Sequence, residues 1–410
     1  METQSEKAFF ERALGFSKHW SVTSLRLDTI EKKAHIYLEY LPTNYVDEET
    51  GEFFDIYDHR PMRKWQHLSV LQYSTYLHCR IPRIKDEQGK VKSIPVPWAD
   101  CHDSFTYLFS DHIVDLLLAS HNQTKTAELA GTTFDIVNRI MNKAVERGLS
   151  RRDLGHSVSK LGIDEKAILK GHNYASILVD LTEGRVLDIV QGRDKEAAKS
   201  LISNTLNENQ LNNIECISMD MWEAFILTAK EKLPNADIVH DKFHLVQYLN
   251  DGIDNTRKQE VHQNALLKGA KYVMLKRTEN HSVQQSEHFE QIMDTNLLTA
   301  KAWALSEQFK DTVLTGSNYI RAIAYFDMWI DTVKQAMIKP MIKVAATFTN
   351  HMEGIINYVK HKVTNALVER INGKIQNLKN VGRGYRSFHG LRIAVLFFNA
   401  KLDLYSHKFQ

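Results

Sequence analysis

Three carboxylates in three different settings could do chemistry together. Asp164 closes the short strand-like run LGID, Asp220 closes ECISMD, and Glu369 lies far downstream in the helical run NALVERINGKIQ. Neighbouring strands lie about 4.8 Å apart, so acids at two adjacent strand tips can share a cation, and a late helix can bring a third. Hard oxygen ligands of this kind select Mg2+ or Mn2+ over zinc. A pair of such ions about 3.5–4 Å apart activates a water or a 3′ hydroxyl and stabilises the leaving oxygen, which points to phosphodiester chemistry. Without metal the three acids should repel one another, and their pKa values should rise.

The surrounding pattern is consistent with that placement. Asp164 faces opposite to Ile163, and Asp220 faces with Ser218 while Ile217 and Met219 face the other way. On the late helix Asn365, Glu369, Asn372 and Gln376 form a polar stripe, with Leu367, Ile371, Ile375 and Leu378 roughly opposite. Other acids read as structural: Glu165 points away from Asp164, Asp180 and Asp188 flank a hairpin turn, and Glu223 opens a helix, where the dipole favours an acid. Asp241 and His244 in VHDKFH are accessory candidates. They could flank the metals or orient a substrate, or they could be a helix cap followed by a half-buried histidine.

The elements that must hold these residues follow a clear order. Residues 1–100 read as short strands (HIYLEYLP, FFDIYDHR, HLSVLQYSTYLHCRIPRI, KSIPVPW) with turns at VDEETGEF and KDEQGKV, a ribbon-like piece too small for a large core of its own. Residues 101–152 read as helices. Ser110 is a candidate N-cap, and QTKTAELAGTTFDIVNRIMNKAVERG has the spacing of a helix-turn-helix. There Ala127 is small at the crossing, Gly131 permits the turn, and Phe134, Val137 and Ile140 form an apolar stripe. Thr132, Thr133, Asp135, Asn138 and Arg139 are left on an outward face able to reach bases or phosphates. Residues 153–256 alternate as β-β-β-α-β-α-β-α, the order of an RNase H-like α/β fold with its first strand central and its fourth beside it. Residues 257–350 are helical, an insertion before the segment 351–410 that carries Glu369.

Net charge is only +2, but its distribution is uneven. From His351 to Gln410 ten Lys and Arg face three acids, a local excess of seven, as a polyanion-binding surface requires. Within it LKNVGRGYRSFHGLR interleaves Lys379, Arg383, Arg386 and Arg392 with Tyr385 and Phe388, a pattern suited to clamping phosphates. No apolar run is long enough to span a bilayer, the N-terminus lacks the features of a secretion signal, and three cysteines are too few for a disulfide framework. These features predict a cytoplasmic protein that makes no use of a membrane.

GIDEKAILKGHNYASILVDLTEGRVLDIV, SMDMWEAF, ADIVHDKFHLVQYLN and NALVERINGKIQNLKNVGRGYRSFHGLR resemble, in order and spacing, the DDE transposases of bacterial insertion sequences in the ISL3 family. The resemblance covers nearly the whole chain. It implies Asp164, Asp220 and Glu369 as a DDE triad and Mg2+- or Mn2+-dependent cleavage and strand transfer on double-stranded DNA at terminal inverted repeats. It also implies a homo-oligomer on DNA. Family members usually begin with a zinc ribbon of paired Cys-x-x-Cys knuckles; here those positions read VDEETGEF and IKDEQGKV, so zinc is not expected and the ribbon shape would persist as bare turns. Arg60, Arg63 and Lys64 remain available for phosphate. Alternative readings are a catalytically idle DNA-binding regulator descended from a transposase and an RNase H-like nuclease.

Overall fold

A computed structural model describes residues 4–15, 19–48, 50–169, 173–316, 318–363, 366–381, 385 and 387–406. The chain divides into two compact units, Met1–Arg152 with Leu402–Gln410, and Asp153–Lys401.

The first unit contains α1 (Gln4–Ala13), eight strands, and three further helices. The strands are β1 (Trp20–Asp28), β2 (Lys33–Tyr40), β3 (Asn44–Val46), β4 (Phe53–His59), β5 (Arg63–Val70), β6 (Tyr73–Cys79), β7 (Pro82–Lys85) and β8 (Val91–Ser93). They form two four-stranded sheets, ordered β1-β2-β6-β5 and β3-β4-β7-β8. Contrary to the sequence reading, this region has a substantial core. Trp65 and Trp98 are fully buried, and Trp98 packs edge-on to Trp20 at 4.8 Å and to Trp65 at 5.6 Å, so three indoles supply the buried area that short strands lack. The two turns that carry no cysteine are closed by aspartates. Asp47 accepts from Thr50 N, while Asp86 accepts from Gln88 N and Lys90 N and pairs with Lys92 at 2.8 Å.

The helices are α2 (Tyr107–Ser120), α3 (Gln123–Leu129) and α4 (Phe134–Ser150). The N-cap of α2 is Thr106, which accepts from Phe109 N; Ser110 is a correction to the sequence reading, because it lies inside the first turn and is buried. Gly131 takes φ +59°, as the α3–α4 turn requires. Ala127, Val137 and Ile140 are buried, but Phe134 is 49% exposed, so the expected stripe starts one turn later. Residues 402–406 return to this unit, where Ser406 bonds Asp111 and the Tyr405 hydroxyl donates to Asp115 at 2.7 Å.

The second unit is built on one five-stranded sheet, with β9 (Lys160–Leu169), β10 (Asn173–Asp180), β11 (Arg185–Gln191), β12 (Cys216–Met219) and β13 (Asp237–His240) in the order β11-β10-β9-β12-β13. The first strand of the unit is thus central with the fourth beside it. β9–β11 form an antiparallel meander, and β12 runs parallel to both β9 and β13. Alternate residues sort the two faces. Leu161, Ile163, Ile217 and Met219 join the core made with α5 (Lys195–Thr205) and α7 (Glu223–Lys232), so Gly162, Asp164 and Ser218 face the other way. Between these helices α6 (Glu208–Asn212) is a single turn.

From α8 (Lys242–Glu260) onward the unit is helical: α9 (Lys271–Leu275), α10 (Val283–Met293), α11 (Leu298–Phe309), α12 (Tyr319–Ala336), α13 (Lys339–Asn350), α14 (Met352–His361), α15 (Ala366–Val381) and α16 (Phe388–Asn399). The helices α8 and α11–α14 share a core around Phe309, Phe326, Trp329 and Phe348. Among the described residues no helix is long and apolar enough to cross a membrane.

Candidate active site

Asp164 does not end its strand. β9 continues to Leu169, paired with β10, while the parallel ladder to β12 stops at Gly162 opposite Ser218. The acid therefore sits in mid-strand, at the level where its neighbour gives out. Asp220 follows the last residue of β12, and the β9–β12 offset carried forward brings it level with Asp164. The β12–β13 offset brings Asp241 to the same level, and Asp241 N extends that ladder by donating to Met219 O at 3.1 Å. Three aspartates thus stand abreast on three parallel strands, with different environments.

Asp241 is buried and accepts from Phe243 N as the N-cap of α8, a structural assignment. Asp164 accepts from Glu165 N at 2.8 Å and from Asn372 Nδ2 at 2.6 Å. Burial raises its pKa above the usual carboxylate value, against the lowering effect of those two hydrogen bonds. The rise comes from burial first, with a smaller push from the neighbouring Glu165, rather than from the mutual repulsion of the three acids that the sequence led one to expect. Asp220 accepts from Met221 N at 2.6 Å, and its other oxygen lies 3.6 Å from His244 Nδ1, too far for a hydrogen bond but close for an ion pair. His244 lies in the first turn of α8, three residues after Asp241, and so stands beside Asp220 at this level of the sheet.

The helix α15 covers this face of the sheet. Its buried stripe is Val368, Ile371, Ile375 and Leu378, with Val368 at the head where the sequence reading put Leu367. A Cβ on Gly162 would come within 2.9 Å of Val368 Cγ2, so the absence of a side chain two residues before Asp164 lets the helix approach. Glu369 is exposed on α15, three residues before Asn372 and on the same side of the helix. Asn365 lies outside the described residues. Asn372 is the residue that sequence reasoning left out of the site. Its position on the polar stripe with Glu369 was the available signal. Its Oδ1 is buried with no hydrogen-bond partner, an oxygen donor of the hard kind beside Asp164. Among the described residues no group of three or more His, Cys, Asp or Glu is close enough to hold a metal ion.

The acids read as structural are engaged elsewhere. Glu165 pairs with Arg193 at 3.0 Å, and that guanidinium lies over the rings of Tyr174 and Trp222. Asp180 accepts from Thr182 N and Glu183 N and pairs with Arg185. Asp188 takes both donors of Arg392, at 2.8 and 2.7 Å, so this arginine is committed within the unit. Lys379 donates to Ala167 O at 2.7 Å, and burial and Lys166 lower its pKa. Tyr385 is half-buried, with its hydroxyl pKa raised by burial; Arg383 and Arg386 lie outside the described residues.

In the first unit the proposed outward face of α4 is partly spent on internal bonds. Thr132 donates to Gln66 Oε1 at 2.8 Å, Thr133 is the N-cap of α4, and Arg139 bonds His102 O at 3.0 Å and pairs with Asp103 at 3.1 Å. Asn138 accepts from its helical neighbour Asn142. Arg63 is committed to the carbonyls of Cys101 and Asp103, Arg60 donates to Ser93 Oγ, and Lys64 lies over the Tyr76 ring.

Comparison with known proteins adds an independent observation. The profile of a DDE family of ISL3 type, described as Transposase, matches residues 161–395. The chain is 26% identical over 357 residues to the "Transposase for insertion sequence element IS1557" of Mycobacterium tuberculosis (strain ATCC 25618 / H37Rv), covering 80% of this chain and 79% of that relative. It is 25% identical over 339 residues to the "Transposase for insertion sequence element IS1001" of Bordetella parapertussis, covering 79% of this chain and 81% of the relative.

Proposed function

We propose, for a chain that belongs to the ISL3 family of DDE transposases, that it cleaves and joins DNA strands at the ends of an insertion sequence through Asp164, Asp220 and Glu369. The observation that carries this reading is the level placement of Asp164 and Asp220 on adjacent parallel strands, beneath the helix that bears Glu369. The sheet order, with an antiparallel meander leading into two parallel strands, supports an RNase H-like core. The α3–α4 pair with its glycine turn supports a helix-turn-helix that reads the terminal repeats.

Mg2+ or Mn2+ would be held by Asp164, Asp220 and Glu369. Bound there it would lower the pKa of the attacking hydroxyl and offset charge at the phosphate. The donor set fits: it consists of hard oxygens, with the orphaned Asn372 Oδ1 at its edge. Mg2+ also commonly binds through one or two carboxylates, with waters and substrate phosphates completing its shell, so a three-ligand group need not preform. Asn372 and Glu165 N hold one oxygen of Asp164 each, fixing its carboxylate while each oxygen keeps a further lone pair. His244 presents an imidazole beside Asp220, placed to hold that carboxylate or to accept a proton. Bringing two DNA ends together calls for at least two copies of the chain, so the active species is a homo-oligomer on DNA.

The test is an Asp220→Asn variant assayed on a duplex carrying an element end in Mg2+. Cleavage is expected to disappear while end binding persists; retained cleavage rejects the triad.

A further inference from the structure

Away from the acids, α8 and α13 form the two walls of a groove of about 680 Å3. Its floor depends on Gly252, where a Cβ would lie 2.8 Å from Met341 Sδ and 3.1 Å from Val344 Cγ2, so the helices touch there and splay above. The rims are polar and mainly basic, with Lys258 on α8 and Lys339 and Lys343 on α13, opposed by the single acid Asp251. Lys258 is paired with Asp254 at 2.9 Å. Lys339 and Lys343 are exposed and point into the same groove one helical turn apart, about 6 Å along the axis. Lys339 also opens α13, whose N-terminus has no side-chain cap, so unpaired N–H groups add positive potential at that end.

The groove is continuous with the acids along one face of α8. His244 lies beside Asp220, Tyr248 follows one turn later and lines the groove, and Asn255 and Lys258 continue the same wall. Tyr248 is thus the groove residue nearest in sequence along α8 to His244 and the acid beside it. A stripe that begins at a carboxylate pair and ends in lysines separated by one helical turn is complementary to a linear chain of phosphates whose reacting member sits at the acids.

We propose that the α8–α13 groove seats the phosphate backbone of one DNA strand as it leaves the scissile position at Asp220, with Lys339 and Lys343 as its principal contacts. This inference rests on the DNA-cleaving reading above. It gives the helical segment a role in holding substrate, with Tyr248 at the junction.

The experiment compares the full chain with a Lys339→Gln/Lys343→Gln variant and a Lys339→Arg/Lys343→Arg variant. Each is titrated with an end-containing duplex over a salt series, and each is assayed for cleavage. Both lysines are exposed, so melting temperatures should match the parent. Loss of two phosphate contacts should make the slope of log affinity against log salt shallower by roughly 2, with at least tenfold weaker binding at low salt and the Arg pair near the parent. Trimming the duplex beyond the scissile bond on the groove side should make parent and Gln variant converge. An unchanged slope in the Gln variant, with parent binding and cleavage intact, overturns the groove assignment alone. A parent that neither binds nor cuts end-containing DNA overturns the cleavage reading and the groove with it.

Discussion

The face of α4 and the face of the central sheet beneath α15 both carry polar side chains, yet they differ in what they leave free. On α4, Thr133 caps its own helix and the Arg139 charge is paired with Asp103, so charge is neutralised nearby even though Asp103 Oδ1 accepts no hydrogen bond from the described residues. On the sheet, Asp164 and Asp220 stand level on adjacent strands, while a buried oxygen of Asn372 has no hydrogen-bond partner among the described residues. Opposite charges in a loop and a helix neutralise one another; acids set abreast by strand register have no such partner in each other. Unmet demand is therefore a better pointer to chemistry than polarity.

The comparison breaks most sharply at Asp164. Replacing it by Asn should reduce cleavage to background, by at least about a hundredfold, while leaving the fold as stable as before or more so. Burial raises the pKa of this carboxyl, so its ionised form costs stability at pH values above its unfolded value; a neutral amide removes that cost, its single oxygen still accepting from Glu165 N while its NH2 can donate to the orphaned Asn372 Oδ1 once that side chain flips. A large fall in melting temperature with Asp164→Asn would make the residue structural, like the acids of the first unit.

Among the described residues each unit holds a buried neutral histidine, His67 and His240, and burial lowers the half-buried His78 of the first unit to about 4 as well. His67 bonds Thr106 Oγ1 at 2.9 Å, and His240 packs against Gly354, where no Cβ would fit. Burial lowers both to about 4. Below pH 6.5 the unfolded chain takes up protons that these rings cannot, so stability is complete above pH 6.5 and is lost as pH falls towards 4, by about 3 kcal/mol for each ring. Denaturant melts at pH 7 and pH 4.5 should show both units weakening, and His240→Gln should flatten the profile of the second unit alone.

Asp103 sharpens the contrast from the other side. It is buried and holds Lys143 at 2.6 Å and Arg139 at 3.1 Å. Removing it with Asp103→Ala leaves Lys143 with Asp100 alone and Arg139 with the His102 carbonyl alone, both with partial access to water, at a cost of about 2 kcal/mol. Urea unfolding of the variant should show that loss, with cleavage chemistry per folded molecule unchanged.

Much of this contrast was legible in the sequence because it rests on period-two alternation. The strands around Asp164 and Asp220 and their facing follow from apolar residues at every second position, and their adjacency was expected from the order of the elements along the chain. What alternation does not encode is where a strand stops: β9 runs past Asp164 because β10 continues to pair with it, a tertiary fact with no local signal. Nor does it encode who satisfies whom. Arg392 looked free in a basic run until Asp188, distant in sequence, supplied a bidentate partner, and Asn372 looked like one more polar residue on a stripe. The core of the first unit was missed for a related reason. Trp20, Trp65 and Trp98 are scattered over separate strands and loops, so their meeting is visible only in the folded chain.

The smallest effect separates capping from recognition at the start of α4. Thr133 Oγ1 accepts from Ile136 N at 3.3 Å, and losing that bond with Thr133→Ala should cost about 1 kcal/mol of stability. Serine keeps the acceptor oxygen and the capping preference but lacks the methyl group. If Thr133 acts only as a cap, Thr133→Ser should restore both stability and affinity for an end-containing duplex to near the parent values. If the side chain also touches a base, the methyl is part of the contact, so the Ser variant should recover stability while discrimination between an element end and unrelated DNA stays reduced. Melting curves and competition binding on the same three proteins decide between a helix end whose polar groups are all spent internally and one that keeps a contact for DNA.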